Sequence, residues 1–348
     1  MPARAVNISL LVLVSLELAS GLGSLLAGSP AGRWVFWTHG LVGFALLGLL
    51  GWKARIVVRS YRRRGLTVTT AAAGTAALLF LAALLSGVLW ATTGLPSRGV
   101  PGLGVLTGLG FHIGFAVALV PLFVVHVVVY WPRVRRVDIA SRRAALRALA
   151  LAGGGLLAWR GAAAVTTLAG LSGAGRRFTG SREHGSFSGN DFPTTNWFTD
   201  RVQSIAPGDW QLRIHGAVAR ELTLSLDDLD TFERIDRAAV LDCTGGWYTA
   251  QIWSGVTLRT LLERAGLEAH ARSVTVHSRT GYARRFPLSE LDNLLLATQV
   301  GSAPLSEGHG YPARLVTRGR RGYDWVKWVT ALEISSAPAW LQAPLPLQ

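Results

Sequence analysis

The single cysteine, Cys243, stands in the stretch Leu241-Asp242-Cys243-Thr244-Gly245-Gly246-Trp247. One thiol among 348 residues rules out an intramolecular disulfide, a CxxC redox pair and a four-cysteine zinc site. Three readings are left: a nucleophile, the one soft ligand of a cofactor metal, or an inert buried thiol. A second group of chemically capable residues lies in the first half, where His39, His112, His126 and Glu17 interrupt long apolar runs. Ionisable groups are expensive inside a membrane span, so each is a candidate for function. His39 comes early in the second run and His112 early in the fourth, and both runs cross in the same direction, which places them at similar depth. Two imidazoles on facing helices could hold a b-type haem between them as axial ligands. Gly40, Gly43, Gly110 and Gly114 would let the macrocycle approach the backbone. His126 lies about four turns further along the same helix with no histidine at its depth, so one haem is expected. Glu17 would serve a proton or quinol path, or pair with a buried donor.

The elements that must position these groups fall into two halves. Half of the residues are hydrophobic. Of the 20 acidic residues, only Glu17 and Asp138 precede residue 183. Apolar runs near 5–27, 34–52, 68–91 and 104–130 each approach the roughly 20 residues needed to cross a bilayer, and a weaker fifth lies near 145–170. Lys53, Arg55, Arg59 and Arg62 to Arg64 follow the second run; Arg133, Arg135, Arg136, Arg142, Arg143 and Arg147 follow the fourth. By the positive-inside rule both clusters are cytoplasmic, the amino terminus is inside, and the second half is delivered outside. The net charge of +15 is thereby explained by membrane topology, and no nucleic-acid partner is expected. Residues 1–132 are expected to form a four-helix transmembrane bundle, and 133–171 a basic segment leading into a fifth span. Arg142-Arg143 before the alanine- and glycine-rich run resembles a twin-arginine export signal, which suits a domain loaded with its cofactor before export. Residues 172–190, rich in glycine and serine, read as a flexible linker.

Residues 191–337 are long enough for one further domain, followed by a tail, 338–348. Strand-like runs lie at 211–218, 239–241, 273–277, 313–317 and 328–334, and helical patterns at 257–265 and 288–297. That mixture predicts an α+β domain rather than a doubly wound one. There is no GxGxxG after a strand, no P-loop and no His-Glu-x-x-His.

Ordered blocks then carry a family resemblance. Trp210-Gln211-Leu212-Arg213-Ile214-His215-Gly216 is followed by Cys243 to Trp247 and by Trp253-Ser254-Gly255-Val256-Thr257-Leu258. Then come Leu294 to Ala297, Gly301 and Pro304-Leu305, then His309-Gly310-Tyr311-Pro312-Ala313-Arg314-Leu315, and last Lys327-Trp328. Together they resemble the molybdopterin-binding domain of the sulfite-oxidase family, in the flavour of its small bacterial members. The resemblance implies that Cys243 is the thiolate ligand of molybdenum and that Asn196, Ser278, His309, Arg314 and Lys327 bind the pterin and its phosphate. The arginine that follows the cysteine in sulfite-oxidising members has no counterpart, since Thr244 to Tyr248 carry no charge. Arg279, Arg284 and Arg285 are the residues that could recreate an anion site.

The leading expectation is therefore a multi-pass protein of the bacterial cytoplasmic membrane with an outward-facing molybdenum oxidoreductase domain. It would reduce an S-oxide or N-oxide and exchange electrons with the membrane quinone pool or another redox partner through the haem of His39 and His112. The alternatives are oxidation of a small substrate such as sulfite, or a sensory membrane protein that binds pterin without turnover.

Overall fold

Continuous apolar sequence without helical periodicity gives helices that are greasy on every side, which a lipid surround tolerates and water does not. The computed structural model describes residues 1–65, 67–94, 98–100, 104–131 and 134–346. It forms two bodies, Met1–Arg182 and Glu183–Gln348. Among the described residues the first contains five helices long and apolar enough to cross a membrane: α1 (Ala3–Leu26), α2 (Arg33–Arg64), α3 (Val68–Thr92), α4 (Gly108–Val129) and α5 (Arg142–Leu168). Helix α2 runs beyond its expected apolar end through the basic cluster. Helix α4 begins later than expected, where the Thr107 hydroxyl caps it by accepting from the Gly110 amide at 3.0 Å. Residues Gly104–Leu106 before it pair instead with Arg98–Val100. Arg133 lies outside the described residues.

Helix α1 packs on α2, α3 on α4, and α5 on α2. The α5 approach is close: a Cβ at Gly155 would stand 2.6 Å from the Leu41 carbonyl oxygen. Val14, Val42, Leu46 and Leu84 form the buried centre of the bundle.

The linker expectation fails. Residues 172–182 fold onto the end of α3: Ser172 Oγ donates to the Thr93 carbonyl, Trp90 Nε1 donates to the Gly180 carbonyl at 3.1 Å, and Phe178 packs edge-on against Phe36. Residues 184–190 pair in turn with the second body, where the His184 amide donates to Tyr248 O at 2.9 Å and the Phe187 amide to Ala250 O at 2.8 Å. The glycines serve turns with positive φ, at Gly180, Gly185 and Gly189, rather than flexibility. The carboxy-terminal stretch is likewise fastened: Arg284 donates to the carbonyls of Ala343 and Pro344, each at 3.2 Å.

The second body holds two sheets. The strands are β1 (Leu212–Gly216), β2 (Leu222–Leu224), β3 (Ile235–Asp242), β4 (Trp247–Thr257), β5 (Ser273–Ser278), β6 (Ala283–Pro287), β7 (Leu294–Val300), β8 (Ala303–Pro304), β9 (Arg314–Thr317) and β10 (Val329–Ser335). One sheet has the order β2-β1-β10-β5-β6, with β1 and β10 parallel and its other pairs antiparallel. In the other, β4 lies between β3 and β7, and β7 also pairs with β8 and β9. Helix α6 (Leu258–Ala265) buries Leu258, Leu261, Leu262 and Ala265 in the larger core. This is the mixed α+β body that was expected. The helix expected over 288–297 is instead a 3-10 turn at Leu288–Asn293 followed by β7. Leu294 to Ala297 have no exposed surface, because β7 is flanked on both edges; such a central strand shows no alternation and cannot be told from a buried helix by pattern.

Candidate functional site

Strand β3 ends at Asp242, and the next residue is Cys243. The chain then turns at once into β4: the Cys243 amide donates to Trp247 O at 2.9 Å and the Gly246 amide donates to Cys243 O at 3.1 Å. Gly246 takes a φ of 97°, which only glycine adopts without strain. The Gly245 amide points at the Cys243 sulfur, 3.3 Å away. The thiol is thus held at a fixed place on the floor of a cleft. Burial pushes the Cys243 thiol up, opposed by the Gly245 amide and the Arg321 charge. As a free thiol it would be poorly ionised, so a bound metal is what would make it a thiolate.

The cleft is open to solvent and, with its mouth included, spans about 660 Å³. Cys243, Asn196, His309, Arg314 and Lys327 all line it, so five of the residues marked by the resemblance meet in one place. Ser278, expected with them, does not line it. It closes the turn after β5, its Oγ 3.0 Å from Thr280 Oγ1. The lining also includes Trp247 of the Cys243 block, and Thr195, Trp197, Asp200, Tyr282 and Tyr323, which sequence blocks alone did not single out. Tyr282 and Tyr323 follow turns rather than strands, and only the fold brings them to Cys243.

The basic groups are unusually poor in acidic partners. Arg314 is 1 % exposed. Its Nη1 donates to the His309 carbonyl at 3.0 Å, it lies over the rings of Trp253 and Trp325, and its Nε is buried without an acceptor. Burial pushes the guanidinium down to about 9, which still leaves it charged at neutral pH. Lys327 donates to three neutral oxygens, Thr195 O at 3.0 Å, Asn196 Oδ1 at 2.7 Å and Gly308 O at 2.6 Å. Burial first and the Arg314 charge second push its ammonium down to about 7. His309 stacks on Phe192 with ring centres 3.8 Å apart. Its Nδ1 faces Ser306 Oγ at 2.8 Å and its Nε2 faces the Phe192 carbonyl at 3.0 Å, and burial pushes it down to about 4.

A buried Arg314 with an orphaned Nε, beside a half-buried Lys327 bonded only to neutral oxygens, suits a bound anion. A pterin phosphate would supply that charge, and the side-chain amide of Asn196 suits a polar heterocycle. Among the described residues no three His, Cys, Asp or Glu side chains gather into a metal-binding group, so a metal on Cys243 would take its other ligands from a cofactor. The residues fit molybdopterin.

Arg279, Arg284 and Arg285 do not enter the cleft. Arg284 is buried against Asp324 at 2.8 Å, and Arg285 Nε donates to Thr275 Oγ1 at 3.1 Å. The anion site they could have rebuilt is absent from the lining.

In the first body, His39 and His112 meet as expected, with ring centres 5.9 Å apart and planes at 79°. The Nδ1 of His112 lies 2.8 Å from Ala83 O, and that of His39 3.2 Å from Glu17 O. A nitrogen facing a carbonyl must carry the proton, which leaves each Nε2 as the lone-pair nitrogen. Such a carbonyl contact is the outer support found behind metal-ligating histidines. Glu17 Oε1 lies 3.4 Å from His39 Nε2, beside the nitrogen that would face iron. The room expected at Gly40 and Gly43 is taken by Trp159 and Glu17. Gly21 and Gly87 are the glycines against the two rings, where a Cβ would come within 3.3 Å of His39 and 3.0 Å of His112. His126 packs on Tyr130, centres 4.9 Å apart.

Comparison with known proteins agrees with the second body. Residues 199–341 match the family described as oxidoreductase molybdopterin binding domain. The uncharacterized oxidoreductase YuiH of Bacillus subtilis (strain 168) is 28% identical over 129 residues, which cover 36% of this chain and 65% of that protein. Human mitochondrial sulfite oxidase is 30% identical over 165 residues, covering 38% of this chain and 30% of that protein. The sulfane dehydrogenase SoxCD of Paracoccus pantotrophus, a solved structure, is 29% identical over 39% of this chain and 40% of its own, with a TM-score of 0.38. The chain thus spans less than two thirds of these relatives' length, and its first body lies outside the family match. Residues 199–341 thus match the model of a molybdopterin-binding oxidoreductase domain and are similar in sequence to mitochondrial sulfite oxidase.

Proposed function

We propose that the chain is a membrane-anchored molybdenum oxidoreductase that reduces an S-oxide or N-oxide at the Cys243 cleft. The observation that carries this reading is a single fixed thiol in a cleft whose two cations, the buried Arg314 and the half-buried Lys327, are bonded to neutral oxygens only. When bound, the molybdenum cofactor supplies the oxygen-atom exchange. The chain's own residues do the rest. Cys243 anchors the metal, Arg314 and Lys327 hold the pterin phosphate, and Asn196 and His309 orient the heterocycle.

Reduction of an uncharged oxide is favoured over oxyanion chemistry by what the lining lacks. Its cationic side chains, Arg314 and Lys327, are both committed to the pterin, and Trp197, Trp247, Tyr282 and Tyr323 leave an aromatic, largely uncharged wall. A site that selects sulfite needs a cation facing the substrate.

The five apolar helices of the first body would cross the bacterial cytoplasmic membrane with the amino terminus inside and the domain outside, as the basic clusters direct. Helix α5 would then begin with a twin-arginine-like signal, Arg142-Arg143. Electrons would come from the quinone pool through a haem b on His39 and His112, a reading supported by the Nδ1–carbonyl contacts of both imidazoles. Metal analysis of the purified full-length protein, followed by a panel of S-oxides and N-oxides with a reduced dye as donor, tests the proposal. Molybdenum and turnover that Cys243→Ser abolishes are expected; absence of molybdenum, or a fully active Cys243→Ser variant, overturns it.

A further inference from the structure

We propose that the buried Asp242–Arg321 pair is a positioning device for Cys243 that balances the fixed charge around its sulfur and so sets the electron affinity of the metal it holds. This rests on the molybdenum reading above. Arg321 Nη1 donates to Asp242 Oδ1 at 2.7 Å, and the two side chains are 2 % and 1 % exposed. Arg321 Nη2 points at the Cys243 carbonyl, 3.4 Å away. The main chains of Asp242 and Arg321 also form a parallel bridge. Gly322 then packs so closely that a Cβ there would lie 3.2 Å from Cys243 Cα. One ion pair therefore ties the strand end that carries the sulfur to the loop that carries Tyr323, Trp325 and Lys327, all lining residues.

Holding two loops together does not require charge. Desolvating both partners costs so much that a well-packed apolar pair commonly does as well or better. An apolar pair cannot place a carboxylate one residue before the ligand and a guanidinium against the ligand's own carbonyl. In a site closed to water such fixed charges act strongly on their neighbours. With both present their effects on the sulfur oppose each other. With one neutralised, the other acts alone. The pair lies beneath the thiolate and outside the cleft lining, so it touches neither substrate nor pterin.

The test uses full-length protein purified with its metal, and reads molybdenum content, the midpoint potential by redox titration, the paramagnetic signature of the one-electron-reduced metal, and thermal stability. Asp242→Asn keeps an acceptor for Arg321 and leaves the guanidinium unopposed, so the potential rises. Arg321→Gln leaves the carboxylate unopposed, so it falls. Arg321→Lys keeps the charge and restores most of the native value, and the double variant Asp242→Asn/Arg321→Gln lies between the two single variants while removing the instability of an unpaired charge. A merely structural brace would shift both single variants the same way, in step with lost stability. Native metal content with unchanged potentials, or with shifts of the same sign, overturns the tuning role. A native protein without molybdenum overturns the molybdenum reading itself, and the pair's role with it.

Discussion

His39 and His112 lie with ring centres 5.9 Å apart, at 79° to each other, and each turns its Nδ1 to a main-chain carbonyl of another helix, Glu17 O on α1 and Ala83 O on α3. The arrangement fixes both rings before any ligand arrives. Membranes containing the protein should show b-type absorption bands on reduction. His39→Ala and His112→Ala should each abolish them, while His126→Ala, at a residue that packs on Tyr130 instead, should leave them in place. Reduced-minus-oxidised spectra of membranes decide the matter.

Arg314 and Lys327 present their charge to the same cleft and receive only neutral acceptors in return. A charge-assisted hydrogen bond to phosphate is worth roughly 1.5–3 kcal/mol, about a tenfold to hundredfold change in affinity. Arg314→Met and Lys327→Met should therefore each lower retained molybdenum by about that factor. Without cofactor, both variants should be at least as stable as the cofactor-free wild type, because each removes a desolvated charge that no carboxylate balances. Metal content and denaturation midpoints measured side by side check both halves of the expectation.

Lys327 and His309 give the cofactor-free protein a particular pH response. Lys327 stands at about 7 when folded, against an ordinary 10.5, so between those values the unfolded chain binds a proton that the folded one does not. Stability should therefore rise with pH across that window and be lowest below pH 7. His309, at about 4 against an ordinary 6.5, adds a second loss as pH falls through that lower window. Lys327→Met should flatten the upper limb and His309→Gln the lower, in denaturation curves taken at a series of pH values.

Arg284 Nε donates to Asp324 Oδ1 at 2.8 Å with both side chains 6 % exposed, and Arg320 approaches the other carboxylate oxygen at 3.4 Å. Asp324→Ala would leave one cation buried without its partner, which costs about 3–5 kcal/mol. The neighbouring Tyr323 and Trp325 should lose their fixed places with it. Chemical denaturation measures the first effect, and the fluorescence of the cleft tryptophans reports the second.

What could be read ahead of the structure followed the kind of signal each element leaves. The five long helices announce themselves because a lipid-facing helix is apolar on every side. Cys243, His309, Arg314 and Lys327 stood out because they sit in ordered blocks, and the fold gathers all four. Strand β7 misled because burial on both faces erases alternation, so Leu294 to Ala297 look equally helical. Ser278 sat in the neighbourhood of such a block but serves its own turn. Tyr323 and Asp200 left no local trace; their importance arises only from where distant segments are folded. The stretch 172–190 misled because its composition does not distinguish a glycine that frees the chain from one that permits a tight turn, as at Gly180 and Gly185.

The orphaned Nε of Arg314 bears on more than catalysis. A polypeptide that must enclose two positive charges before their counter-ion is present is left electrically incomplete, and its empty form is penalised against its loaded form by simple mass action. Cofactor insertion then doubles as an inspection step. A molecule without its counter-ion would open more often than a loaded one and so be the easier target for proteolysis.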